Sequence, residues 1–140
     1  MEYDDYRIRS YYFWDLFLHK EQYPYIGRAY AWALRDDAQL TTDMEAHERK
    51  ELFEKVLPDW NAAVKKTFQH DWTNVASLGN TTAHLHWHFI PRYRSLKDAY
   101  GMCFEDPNPN GNYAPYPKKD IPLETLMQIK KDIIGNLNTS

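Results

Sequence analysis

The chain has 140 residues, with 17 basic and 20 acidic side chains, so its formal net charge is −3 with histidine neutral. Hydrophobic residues make up 43% and charged residues 26%, which fits one globular domain over 1–140 and excludes disordered, collagen-like and coiled-coil chains. A mildly acidic chain has no general attraction for nucleic acid backbones or anionic membranes, and its longest apolar run, Ala29 to Leu34, is too short to cross a bilayer.

The start, Met1-Glu2-Tyr3-Asp4-Asp5, lacks the basic and apolar regions of a signal peptide. Cys103 is the only cysteine, so no internal disulfide can form. A cytoplasmic protein with no nucleic acid or membrane partner is expected. The unusual feature is aromatic content: five Trp, eleven Tyr and six Phe. Aromatic rings stack on nucleobases, but more often they fill cores and subunit interfaces.

In chain order, Tyr11 to Leu18 is rich in aromatic β-formers and predicts a strand. His19 to Pro24 is polar and turn-like. Ala29-Tyr30-Ala31-Trp32-Ala33-Leu34 alternates small and large residues, so a strand there puts Tyr30, Trp32 and Leu34 on one face and three alanines on the other. The alanine face admits close packing, and the two strands read as a hairpin. Thr42 followed by Glu45 predicts a capping box at a helix start. Leu52, Phe53, Val56, Leu57, Trp60, Val64 and Phe68 then recur at helical spacing. Pro58 inside that pattern predicts a kink or break.

Val75 to Leu78 and Ala83 to Ile90 read as two more strands. Between Asp106 and Pro117 four of the eight prolines and three asparagines predict a long loop or flap. Leu126, Ile129, Ile133 and Leu137 predict a final helix, with Pro122 near its first turn. Strands and helices do not alternate regularly, which favours an antiparallel α+β domain.

The segment His84-Leu85-His86-Trp87-His88-Phe89-Ile90 carries most of the chemistry. Period two puts the three histidines on one strand face, with neighbours ~6.5 Å apart. Three readings compete. The first is a solvated or paired row of histidines. The second is a metal site from a His-x-His pair and an outside ligand, since the outer histidines lie ~13 Å apart along the strand. The third is covalent catalysis, in which a neutral imidazole, held in one tautomer by a hydrogen bond at its other nitrogen, attacks phosphorus. Asn80, Thr81 and Thr82, immediately upstream, can donate to phosphate oxygens.

The histidine segment resembles the His-φ-His-φ-His-φ-φ signature (φ apolar) of the histidine-triad, or HIT, superfamily of nucleotide hydrolases and transferases, at every position. Asn74 to Asn80, Pro91-Arg92-Tyr93 and Tyr25-Ile26-Gly27-Arg28 are similar to its bacterial and archaeal diadenosine polyphosphate hydrolase-like branch. The resemblance implies a five-stranded antiparallel sheet with two main helices, assembled as a homodimer and binding a purine nucleotide. It implies His86 as the nucleophile toward an α-phosphate, the His84 carbonyl as acceptor of the His86 Nδ1 proton, and His88 on the phosphate or departing group. It places Asn74, Asn80 and Thr81 on the phosphate and makes His19 a candidate substrate contact; Arg28 and Arg92, by their charge, are candidate contacts for a polyphosphate. The implied product is a nucleoside monophosphate. No protein-held cofactor is implied, although a divalent cation such as magnesium can accompany a polyphosphate substrate. The sequence departs from the pattern at three places. His19 is the nearest match to a ribose-holding Asn or Asp, one position out of register. Arg35-Asp36-Asp37 replaces a histidine, and Asn80 replaces a glutamine. A nucleotide-binding sensor with no turnover, and a metal-binding protein, are the alternatives.

Overall fold

A computed structural model describes residues 3–138; Met1 and Glu2 of the acidic start, and the last two positions of the expected 1–140 domain, lie outside the described residues. Five strands form one antiparallel sheet: β1 (Arg7–Ser10), β2 (Trp14–Leu18), β3 (Ala29–Ala33), β4 (Trp72–Ala76) and β5 (His86–Arg92), in the order β1-β2-β3-β5-β4. Two main helices accompany it, as expected. The first runs continuously through α1 (Ala46–Glu51), a π turn at Leu52–Val56 and α2 (Leu57–Phe68); the second is α3 (Leu123–Gly135).

The alanine face of β3 explains where the first helix sits. Ala29, Ala31 and Ala33 are buried, and Leu52, Val56, Trp60, Val64 and Phe68 are buried in the same core. Small side chains let the helix approach closely enough for the Trp60 indole to donate to the Gly27 carbonyl, at 2.9 Å, and for the Trp60 and Phe89 rings to lie 5.3 Å apart. Gly27 takes φ +100°, and a Cβ there would stand 2.8 Å from Val64 Cγ1. Only glycine suits both the backbone and the space.

Several expectations shift. The strand expected over Tyr11–Leu18 is shorter, with β2 starting at Trp14, and a further strand that the sequence reading did not give, β1, precedes it and pairs from Arg7↔Phe17 to Ser10↔Asp15. The helix starts three residues later than Thr42 predicts. Thr41–Asp43 forms a short 3₁₀ turn, and the α1 start is held by the Glu48 carboxylate, which accepts from the Glu45 N–H at 2.8 Å. Pro58 does not break the helix, because it falls in the first turn of α2 just after the π turn, where the Leu57 N–H reaches back to the Leu52 carbonyl. That wider ring absorbs the bonding proline cannot provide. A second small sheet, β6 (Lys97–Ala99) with β7 (Met102–Phe104), was not foreseen. Among the described residues no helix is long and apolar enough to cross a membrane.

Candidate active site

On the sheet face opposite the first helix, the strand register brings functional side chains into rows. Trp32 of β3 is paired with His86 of β5, and Tyr30 with His88. These residues, together with Phe17 and His19, border a cleft of ≈ 850 Å³. The turn from Leu78 to Thr82 also borders it, and includes Asn80 and Thr81.

The histidines differ in what holds them. β5 begins at His86, so His84 lies just outside the ladder instead of within it, yet its ring stacks on Trp32 at 4.1 Å and 15°. His84 Nε2 is 2.6 Å from the Ala33 carbonyl, and His86 Nδ1 is 2.6 Å from the His84 carbonyl. A carbonyl only accepts, so both nitrogens carry the proton. In the neutral ring, Nε2 of His86 is then the nitrogen that keeps its lone pair. Trp32 also stacks on His86, at 5.5 Å, and Ser77 Oγ donates to the His86 carbonyl at 2.7 Å. Ring, backbone and tautomer of His86 are all constrained.

His88 lies 4.9 Å from His86 between ring centres, and its buried Nδ1 has no hydrogen-bond partner among the described residues. Burial first, then the charge of Arg28, lowers its pKa to about 4, so it is neutral near pH 7. His19 continues the line, 5.8 Å from His88. The same two causes, in the same order, lower its pKa to about 2. Its Nδ1 accepts from the Glu21 N–H at 3.0 Å, which leaves the proton of the neutral ring on Nε2.

Arg28, Arg92 and Asn74 are not brought to the cleft. Arg92 does lie on the histidine face, because β5 continues through Pro91 to Arg92. The β3 pairing ends at Ala29↔Phe89, so Pro91 has a ladder partner, Thr73, only on the β4 side. But its guanidinium is buried against Asp106, at 2.7 and 3.1 Å. It also donates to Asn74 Oδ1, Gly111 O and Asn108 O. Arg28 is buried too. It donates to Tyr116 Oη at 2.8 Å and lies over the Tyr113 and Tyr116 rings. Both arginines staple the Pro/Asn-rich segment across the end of the sheet face, which brings Tyr113 and Lys118 to the cleft.

Sequence reasoning missed Gln22, which is buried and knits the β2–β3 turn: its amide donates to the His19 and Arg28 carbonyls, and its oxygen accepts from the Gly27 N–H. It also missed Phe17, Lys20 and Lys118 as cleft residues, and Trp32 as the platform for two histidines. The alternation that placed Tyr30 and Trp32 on one face was the available signal. Among the described residues, no group of three or more His, Cys, Asp or Glu side chains is arranged to hold a metal ion.

Solved structures share this fold. A histidine triad protein of Sinorhizobium meliloti superposes with a TM-score of 0.72 at 21% identity, over 94% of this chain and 88% of the other. One of Bradyrhizobium japonicum gives 0.73 at 17%, over 94% and 90%. A hypothetical histidine triad nucleotide-binding protein of Sulfolobus tokodaii gives 0.70 at 17%, over 94% and 82%. No curated protein matches the sequence. Residues 34–95, which hold all three histidines of the row, match the family model of the HIT domain.

Proposed function

We propose that the chain is a nucleotide hydrolase or transferase that attacks the α-phosphate of a nucleotide through a covalent nucleotidyl-His86 intermediate. The observation that carries this is the His86 Nδ1 contact with the His84 carbonyl, at 2.6 Å, which orients the ring and makes Nε2 the lone-pair nitrogen of its neutral form. The HIT domain match supports the reading, as does the nucleotide-binding description of the Sulfolobus relative.

Nε2 forms the bond to phosphorus, and the bond to the leaving group breaks with its electron pair staying on that group. Water then attacks phosphorus, the N–P bond breaks, and a nucleoside monophosphate leaves. His88, Asn80 and Thr81 serve the phosphate oxygens, and the aromatic side chains Phe17, Tyr30 and Trp32 suit a purine nucleoside. The resemblance around Gly27-Arg28 and Asn74–Asn80 supports dinucleoside polyphosphates as substrates, and nucleoside phosphoramidates are the other class that the same attack on an α-phosphate serves. No protein-held metal is needed, and the working unit is a homodimer.

Intact mass of metal-stripped protein mixed with adenosine 5′-phosphoramidate and quenched in base tests this reading. A transient gain of one AMP unit, or AMP release, that disappears in His86→Ala is expected. Nucleotide binding with neither adduct nor AMP would replace the enzyme by a sensor.

A further inference from the structure

We propose that His19, Lys20 and Lys118 form a second anion subsite beside His88, which takes a phosphate of the substrate other than the one His86 attacks. This deepens the proposed function and rests on it. All three side chains border the same cleft as His86 and His88. The ring centres step from His86 to His88 over 4.9 Å and on to His19 over 5.8 Å, so the subsite continues the line of the attacked phosphate.

Each component favours an anion. His19 accepts at Nδ1 from the Glu21 N–H, so its Nε2–H is a fixed neutral donor. Lys20 Nζ sits 5.2 and 5.5 Å from the ring centres of Tyr3 and Tyr6, a contact that places the ammonium without neutralising it. The described residues give Lys20 no carboxylate partner. One carboxylate, Glu21, does border the cleft. It is engaged by the Tyr116 hydroxyl at 2.5 Å and by Lys118 at 3.2 Å. Buried Arg28, outside the cleft lining, adds its positive charge to the surroundings of His19, His88 and Glu21.

The second anion has two sources: a β-phosphate on the leaving side, or a phosphate on the ribose. Titration calorimetry at low ionic strength, where exposed charges are least screened, separates them without turnover. The ligands are AMP, adenosine 5′-(α,β-methylene)diphosphate and adenosine 3′,5′-bisphosphate. The proteins are wild type and Lys20→Ala/Lys118→Ala, in which both altered side chains are exposed. One doubly phosphorylated ligand is expected to bind at least about tenfold tighter than AMP, and that ratio should fall toward one in the double variant. Whichever ligand gains identifies the source. Equal binding of all three by wild type, or a preference that survives the double variant, overturns the subsite and leaves the proposed function standing. Failure of all three ligands, AMP included, to bind removes both.

Discussion

The two faces of one sheet do different work with alternate residues of the same strands. On β3, Ala29, Ala31 and Ala33 face the first helix, while Tyr30 and Trp32 face the cleft. On β5, Phe89 lies in the core, while His86 and His88 border the cleft. The helix face is held by close approach and burial of apolar area. The cleft face is held by directed contacts: histidine nitrogens on carbonyls, a Trp32 stack and two arginine staples. Stability and chemistry should therefore separate by side of the sheet, and substitutions can test how cleanly.

The largest expected effect is on the cleft face. His86→Ala should lower AMP release by more than about a thousandfold, since the nucleophile is gone and its neighbours cannot replace it. Its urea midpoint should stay close to wild type, and a large loss of stability would mean that the faces are not independent. Asp106→Ala breaks the comparison from the other direction. It leaves Arg92 buried and unpaired, so a loss of about 3–5 kcal/mol is expected, measured by urea denaturation. Release of the 105–122 segment should also speed its cleavage by a protease. Gly27→Ala acts on the helix face and should cost about 1–3 kcal/mol through overpacking against Val64, in addition to backbone strain at φ +100°. Trp32→Leu removes the ring that stacks on His84 and His86. About tenfold slower turnover is expected, with little change in stability, read from kcat at saturating phosphoramidate.

What the sequence makes legible follows from how local each interaction is. The β3 alternation and the step from His86 to His88 are period-two patterns within one strand, and the structure keeps them, while His84 falls just outside the ladder. The His86 tautomer is also a local matter, set by a carbonyl two residues away. Arg28 and Arg92 mislead for the opposite reason. A positive charge next to a phosphate-site motif reads as a substrate contact, but Asp106 is 14 residues from Arg92 and Tyr116 is 88 from Arg28. Nothing within a short window shows that these partners will bury them. β1 has one buried apolar residue, Ile8, in four positions; β2 makes it a strand, not its own propensity. At the start of the first helix two overlapping capping patterns compete, Thr42 with Glu45 and Glu45 with Glu48. The second prevails, where Arg35 also binds the Glu48 carboxylate at 2.9 Å.

The smallest effect near neutral pH concerns buried histidines on both faces. Burial lowers the pKa of His88 on the cleft face, and of His70, which lies 5.9 Å from Trp60, to about 4 each. Their ordinary value, 6.5, applies in the unfolded chain. Below pH 6.5 the unfolded chain therefore takes up protons that the folded one refuses. The stabilising contribution of each group is complete above about pH 6.5 and drains away as the pH falls toward 4. His88→Gln and His70→Gln should each flatten the decline in urea midpoint between pH 7 and pH 4.5. Only His88→Gln should also alter turnover. A pH profile unchanged by either substitution would mean that these rings reach water in the folded state. Loss of turnover in His70→Gln at unchanged stability would show that the helix face takes part in the chemistry.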